Sequence, residues 1–194
     1  MHDFSARERL ATVFFAQPVL NAAKIGGISP SETANYPYLP LKEEAPMLRT
    51  MTPTEFDQWA IYFVADYAED LQANYGYAAE RAQAEARHAL TSVLPHGIAT
   101  AHQQLLTLEE AGAVVGYLWY QQNETNAFIM DFMVLPHCRG QGHGRRALAE
   151  LEAHLRAAGV AEMRLRVAAD NPRARHLYEA CDFQLTGYNM SKRL

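Results

Sequence analysis

The sequence predicts a single mixed α/β domain with elements in the order β-α-α-β-β-β-α-β-α-β. Two observations favour this class: helical and strand-like apolar patterns are interspersed along the chain, and no segment repeats at a fixed period. A third is size, because 194 residues, 49% of them hydrophobic and 20% charged, can bury a substantial core. We therefore expect a mixed central sheet flanked by helices on both faces.

The first 46 residues differ in pattern from residues 47–194. Glycine, serine and proline interrupt any periodicity between residues 26 and 46, which is typical of a linker, while residues 8–23 have the pattern of a short amphipathic helix. We interpret residues 1–46 as an N-terminal extension and residues 47–194 as the folded domain. The extension could cover the domain, pair with a second subunit or have no role.

The first half of the domain begins with a short strand, predicted at residues 48–51. Thr52 followed by Pro53 is typical of a helix start, and the apolar spacing predicts a helix that extends to residue 74. A second helix is predicted at residues 78–94, before a proline and a glycine that end it.

The middle of the domain is predicted to be strand-rich. Residues 103–108 and 114–121 read as two strands of a hairpin around residues 109–112, and residues 127–135 as a third strand that ends at Pro136.

The last part of the domain alternates between helical and strand-like apolar patterns. A helix is predicted at residues 144–158, closed by Gly159. A strand at residues 162–168, a helix at 172–181 and a final strand at 183–192 complete the order.

Composition excludes several classes of protein. No apolar run approaches the roughly 20 residues that a membrane helix needs, and the N-terminal segment carries acidic residues that suit a secretory signal poorly. Two cysteines do not form a disulfide framework, so we expect a reduced, cytoplasmic setting. The net charge of −5 and the lack of a basic-aromatic pattern argue against nucleic-acid binding.

Charge is distributed unevenly along the chain. Residues 42–124 contain twelve acidic and four basic side chains, whereas residues 125–194 contain seven acidic and ten basic ones. This asymmetry suits a cationic ligand on one side and an anionic ligand on the other, although solvated surfaces are often uneven without a function.

The segment before the third predicted helix is rich in glycine and arginine. Gly140, Gly142 and Gly144 would let the backbone approach a ligand closely, and a helix N-terminus offers unpaired N–H groups with a partial positive charge. Arg139 and Arg145 add full positive charges, so we predict a site for a phosphate-bearing ligand. The spacing matches neither the dinucleotide fingerprint nor the P-loop. The alternative is a glycine-rich turn with surface arginines.

Two spaced motifs resemble those of the GNAT superfamily of N-acetyltransferases. The first is Arg139-x-x-Gly142-x-Gly144, and about 30 residues later comes Asn171-x-x-Ala174-x-x-Leu177-Tyr178, followed by Phe183. The resemblance covers residues 48–194 and implies the GNAT fold. One departure is Asp182, where the family usually has glycine; aspartate tolerates a left-handed backbone better than most residues.

The resemblance implies acetyl-CoA as co-substrate. Backbone N–H groups of the loop would bind the pyrophosphate, the strand before it would pair with the amide-rich pantetheine arm, and an N–H of that strand would polarise the thioester carbonyl. Tyr178 matches the position of the general acid that protonates the departing thiolate; the alternative is an aromatic residue packed in the core. The implied cofactor-binding residues are Phe132, Met133, Val134, Arg139, Gly140, Gln141, Gly142, His143, Gly144, Arg145, Asn171 and Tyr178.

Asp131 is the candidate general base, because it is a carboxylate in an otherwise apolar predicted strand. A charge there is unfavourable unless it is solvated in a cleft or paired. The alternative is an ion pair with Arg164 or Arg166. Some relatives have a catalytic glutamate at the position of Arg166, so that base is missing here.

The acceptor is expected to bind against the first helices, as the resemblance implies. Trp59, Tyr62, Asp66 and Asp70 recur at helical spacing and would form an aromatic and acidic wall suited to a cationic amine. The alternative is an amphipathic helix with an aromatic inner face and an acidic outer face. The histidines lack metal-ligand spacing, so we predict no metal.

Taken together, these residues predict an N-acetyltransferase. The acetyl group would pass from acetyl-CoA to a primary amine by direct attack in a ternary complex, the acceptor being a small cationic amine or a lysine or N-terminal amine of a protein. The alternative is a non-catalytic acetyl-CoA sensor or assembly module with the same fold. The resemblance also allows a homodimer, for which no residue specifies an interface.

Overall fold

The computed structural model describes residues 46–190 and residue 192. The predicted helix at residues 8–23 and nearly all of the predicted linker lie outside these residues. Within the described part, five strands form one mixed sheet with helices packed on both faces, as expected.

The sheet has the strand order β1-β2-β3-β4-β5. The pairs β1–β2, β2–β3 and β3–β4 are antiparallel, and β5 is parallel to β4. A parallel pair needs a crossover connection, which here contains the third helix. The strands are β1 (Leu48–Thr50), β2 (Gln103–Glu110), β3 (Ala113–Gln122), β4 (Asn126–Val134) and β5 (Glu162–Leu165).

Four helices surround the sheet: α1 (Pro53–Tyr75), α2 (Ala79–Val93), α3 (His143–Ala157) and α4 (Pro172–Glu179). Successive strand residues point to opposite faces, so β3 serves two cores. Tyr117 and Trp119 pack with α1 and α2, whereas Leu118 and Tyr120 pack with α3. No helix among residues 46–190 is long and apolar enough to cross a membrane.

The start of α1 is fixed to the sheet by a network around Glu55. Thr52 and Glu55 form a capping box, so each satisfies a backbone N–H of the other. The Glu55 carboxylate also accepts from the Arg49 guanidinium of β1 (2.6 Å) and from the Thr107 hydroxyl of β2 (3.2 Å). The hydrogen bond from Arg49 is the largest cause that lowers the pKa of Glu55 to about 2.

The strands β4 and β5 part halfway along β4. Their pairing ends at Ile129 and Leu165, although β4 continues to Val134. At the same point the register with β3 shifts, which leaves Met130 as the extra residue of a β-bulge. A bulge bends a strand and increases its local twist, so it directs the rest of β4 away from β5.

Most predicted boundaries agree with the structure within two residues. The strand predicted to reach residue 168 instead ends at Leu165, because β4 turns away beyond that pair. The predicted left-handed backbone at Asp182 is observed, with φ of 63°.

The predicted strand at residues 183–192 is wrong for the described residues in that range. Residues 183–190 belong to none of the five strands, and Leu185, Tyr188 and Met190 are exposed. An alternating pattern describes which side chains could share a face, but a strand also needs a neighbouring edge to bond with. The edge strand β5 has only four residues and therefore offers a short edge.

Replacing Gly116 with alanine should destabilise the fold by about 2 kcal/mol or more, because the close approach of β3 and β4 leaves no space for a side chain. A Cβ at Gly116 would lie 2.2 Å from the Met133 carbonyl oxygen. Urea unfolding measures the effect. Gly187→Ala is the matched control, since a Cβ there meets nothing within 4 Å. Equal stability of the two variants would contradict the prediction.

Candidate active site

The parting of β4 and β5 opens a cavity of about 190 Å³. Its walls come from α1 and α2 on one side, from β3 to β5 on another, and from the start of α4. The lining residues are Phe63, Asp66, Tyr67, Asp70, Ala89, Val93, Trp119, Ile129, Met130, Asp131, Phe132, Leu165, Arg166, Val167, Ala168, Asn171, Ala174 and Tyr178.

Asp131 lies in the wall of this cavity, just after the bulge in β4. Its Oδ2 accepts a hydrogen bond of 2.8 Å from the indole N–H of Trp59, and its carboxylate also accepts from the backbone N–H of Phe132. Burial is the largest effect and, together with the nearby charge of Asp66, raises the pKa of Asp131 to about 6, while the two hydrogen bonds oppose this rise. The carboxylate therefore changes its charge close to neutral pH.

The arginines considered as partners of Asp131 are paired elsewhere. Arg164 binds Glu162 at 2.5 Å, and Arg166 faces Asp70 at 3.5 Å. Within residues 46–190, Asp131 forms no salt bridge. The carboxylate is thus held by neutral hydrogen-bond donors in the wall of a cavity.

Tyr178 lines the same cavity from α4. Its ring packs edge-to-face on Phe183, with centroids 5.6 Å apart. Burial first, and then the charges of Asp131 and Cys181, raise the pKa of Tyr178 well above its usual value. Its hydroxyl is therefore protonated at neutral pH and can donate a hydrogen bond.

Of the four α1 residues predicted to bind the acceptor, two line the cavity and two do not. Asp66 and Asp70 line the cavity, whereas Trp59 has no exposed surface and Tyr62 is 49% exposed outside the lining. Burial, then the charges of Glu69 and Asp70, raise the pKa of Asp66, and Arg139 opposes them.

Two cavity residues were missed as site residues by the sequence analysis. Tyr67 lies one residue after Asp66 on α1, and burial is the largest cause that raises its pKa to about 12. Arg166, predicted only as an ion-pair partner of Asp131 or as the position of a missing base, lines the cavity beside Asp70. Helical spacing from Phe63 could have indicated Tyr67, whereas nothing in the sequence pairs Arg166 with α1.

The glycine-rich loop comes directly before α3. Gly140 and Gly142 have positive φ values of 83° and 84°, and a Cβ at either position would meet nothing within 4 Å. Gly144 differs, because its Cβ would lie 3.0 Å from Leu177 of α4. The first two glycines thus leave open space above the helix N-terminus, where an anion can approach the backbone, and the third allows α3 to pack against α4.

The side chains of this loop have different surroundings. Arg139 donates to the Val134 carbonyl (2.9 Å), while Arg146 forms a salt bridge with Glu110. His143 is 7% exposed and lies beside Arg146. Gln141 and Arg145 are exposed. The fit to a phosphate-bearing ligand therefore depends on the backbone and on Arg145 more than on the other side chains.

The stretch of β4 beyond Ile129 and the start of α4 connect the loop with the cavity. Residues 130–134 have no β5 partner, so this edge is available to an amide-bearing ligand. Asn171 caps α4 through its Oδ1, which accepts from the Ala174 N–H (3.0 Å), and it also lines the cavity. Among residues 46–190 and 192, no group of three or more His, Cys, Asp or Glu side chains could hold a metal ion.

Comparisons with known proteins show which family has this sequence and fold. A family model described as the Acetyltransferase (GNAT) family matches residues 64–183. The uncharacterized N-acetyltransferase YycN of Bacillus subtilis is 35% identical over 153 residues, which cover 76% of this chain and 98% of YycN. The crystal structure of YycN superimposes with a TM-score of 0.72. A second B. subtilis protein, the uncharacterized N-acetyltransferase YdgE, is 25% identical over 152 residues, covering 76% and 97% of the two chains.

Asp131→Asn should stabilise the protein at neutral pH. The pKa of Asp131 rises from 3.8 to about 6 on folding, so its favourable contribution is complete below pH 3.8 and is lost as the pH rises through 6. The amide carries no charge, so the variant should gain on the order of 2–3 kcal/mol relative to the wild type between pH 4 and 7.5. Urea unfolding across this range measures the gain.

Asp57→Asn is the control for this comparison, because it removes the same charge from an exposed position on α1. The stability of this control relative to the wild type should not increase between pH 4 and 7.5. A constant difference between Asp131→Asn and the wild type at every pH would show that Asp131 does not titrate as the structure implies.

Proposed function

The chain belongs to the acetyltransferase (GNAT) family of acyltransferases, and on this premise we propose that it transfers the acetyl group of acetyl-CoA to a primary amine. We propose direct attack in a ternary complex. The observation that carries the proposal is one cavity that contains a carboxylate with a pKa of about 6 and a protonated tyrosine. This cavity lies at the end of an open strand edge that leads from a glycine-rich helix N-terminus.

The residues of the loop suit the pyrophosphate of CoA. Gly140 and Gly142 leave the backbone amides before α3 uncovered, and Arg145 adds an exposed positive charge. The open edge of residues 130–134 would pair with the pantetheine amides, and the side-chain amide of Asn171 faces the same cavity. Acetyl-CoA would supply the acetyl group as an activated thioester.

Polarisation of the thioester carbonyl requires a hydrogen-bond donor fixed in position. A backbone N–H of Met133 or Val134 would serve, because both residues lie beyond the last β4–β5 pair. A preorganised donor of this kind typically lowers a barrier by about 3–4 kcal/mol.

Asp131 would accept the proton of the acceptor amine, directly or through a water molecule. A lysine-like amine has a pKa near 10.4, so deprotonating it at pH 7 costs about 4–5 kcal/mol. With a pKa of about 6, Asp131 is mostly ionised at neutral pH and is a stronger base than an ordinary aspartate.

Tyr178 would donate a hydrogen bond or a proton to the departing thiolate. Its raised pKa keeps the hydroxyl protonated, and its ring is positioned by Phe183. Asp131 and Tyr178 interact electrostatically across the cavity, which is the expected arrangement for a base and an acid that serve one reaction.

The charges of the cavity favour a small cationic amine over a protein amine as acceptor. Asp70 faces Arg166, but the Asp66 carboxylate has no salt bridge or hydrogen bond to another described residue. With Asp131, the cavity therefore carries negative charge that a cationic ligand would neutralise. A lysine or N-terminal amine of a protein is the alternative acceptor.

We further propose that residues 47–194 form the catalytic domain. The backbone N–H groups of Met47 and Leu48 donate to the Glu150 carboxylate of α3 at 2.8 and 3.0 Å, so the chain is attached to the domain from this point.

Tyr178→Phe should lower kcat by about 10²-fold or more, because the acid is lost while the ring still packs. Release of free CoA thiol measures the rate, and calorimetry should show that the variant still binds CoA, because the loop and the open edge of β4 are unaltered. Tyr188→Phe is the control, since Tyr188 is 82% exposed and does not line the cavity. CoA binding by the wild type without thiol release with any amine would favour a sensor over an enzyme. An absence of CoA binding by the folded protein would refute the proposed function itself.

Asp66→Asn should reduce the selectivity for diamines. We expect the wild type to have a higher kcat/KM for 1,5-diaminopentane than for 1-aminopentane, because the second ammonium group of the diamine can approach Asp66. The variant should lose about three- to tenfold of this preference. Glu69→Gln, which removes the same charge from a neighbouring residue outside the cavity lining, should keep the preference. Acetylation of lysine peptides but of neither small amine would contradict a small-amine acceptor.

A further inference from the structure

Trp59 is buried among aromatic rings, so its indole N–H needs a hydrogen-bond partner within the protein. It has no exposed surface, and its ring is surrounded by Phe56, Phe63 and Trp119 at centroid distances of 5.7, 5.2 and 5.6 Å. These contacts leave the indole a single orientation, because rotation would displace rings on both sides.

The polar end of this indole reaches the candidate base. The Trp59 N–H donates to Asp131 Oδ2 at 2.8 Å across 72 residues of sequence, from α1 to β4. The carboxylate has one other hydrogen-bond donor in the described part of the chain, the backbone N–H of Phe132. Trp59 is thus the only side chain there that bonds the base.

The position of α1 relative to the sheet fixes the direction of this hydrogen bond. Trp59 lies one turn after Glu55, which is bound to Arg49 of β1 and Thr107 of β2. The backbone that carries the indole is therefore anchored to the sheet that carries Asp131.

We propose that Trp59 is a positioning residue, whose rigidly held indole N–H orients the Asp131 carboxylate and stabilises its ionised form. This inference rests on the proposed role of Asp131 as the base. Trp59 would then act on the reaction by holding the base, and it would not contact the acceptor as its spacing on the predicted helix indicates.

Several charged or titratable groups face Asp131 from the elements around the cavity. Helix α1 contributes acidic and phenolic groups, α4 contributes a phenol, and the segment after β5 contributes a guanidinium. The cavity residues of α2 and β3 carry no titratable group. They are Asp66, Tyr67, Asp70, Arg166 and Tyr178. Trp59 carries no titratable group, so replacing it changes the hydrogen bonding of the base without removing a charge from the cavity.

The first experiment uses the unaltered protein. The chain has two tryptophans, Trp59 and Trp119, so its indole N–H region contains two resonances. In an NMR titration, the Trp59 N–H signal should move with a midpoint near pH 6, the pKa of Asp131, and should stop moving in Asp131→Asn. The Trp119 N–H, which donates to Gln103 at 2.7 Å, should move much less. A Trp59 signal that does not follow this titration would overturn the proposal.

The second experiment measures kcat/KM against pH. Trp59→Phe removes the donor and retains a ring, so the apparent pKa of the acidic limb should rise by roughly one pH unit or more, and activity should recover at high pH. Tyr120→Phe is the control, because Tyr120 is 2% exposed, packs in the core on the other face of the sheet and does not line the cavity, so its limb should stay in place.

The outcomes separate this inference from the proposed function. An unchanged acidic limb in Trp59→Phe, or an equal loss of activity at all pH values, would overturn the positioning role. If the wild type releases no CoA with any amine, the proposed function fails, while the NMR titration still tests the contact between Trp59 and Asp131. If Trp59→Phe does not fold, the same titration decides the question.

Discussion

The separation of β4 from β5 after Ile129 is the constraint on which the candidate site depends. A continuous parallel pair would bond its edges together and leave no cavity and no open strand edge. The bulge at Met130 ends the pairing, turns the rest of β4 away and brings Asp131 into the wall of the cavity. One extra residue in a strand thus creates the space for a ligand and also places a carboxylate in it.

Burial of Asp131 has opposite consequences for stability and for chemistry. Removal from water disfavours the ionised carboxylate, and the resulting pKa of about 6 makes the folded state less stable at neutral pH than it would be with a neutral group. The same rise makes Asp131 a better base. Two hydrogen bonds, from Trp59 and Phe132, limit the rise, so the carboxylate remains mostly ionised at neutral pH.

Glycine is required at several positions of the domain for two different physical reasons, close packing at some and an open, left-handed backbone at others. Gly116 and Gly144 lie where a Cβ would collide with a neighbouring strand or helix. Gly140 and Gly142 have positive φ and open space around them, so no packing contact requires them. A loop with this property is suited to holding a ligand against its backbone, whereas the other two positions allow neighbouring elements to pack closely.

The sequence by itself determined the four helices, the first five strands and the loop before α3, because these depend on local periodicity, caps and turn residues. It also indicated Asp131 and Tyr178 through unusual residues at specific positions. Only the tertiary structure decided that Trp59 bonds Asp131, that Arg166 faces Asp70 and that residues 183–190 form no strand. Each of these depends on a partner far away in the chain, and spacing along one segment contains no information about which distant edge or side chain will meet it.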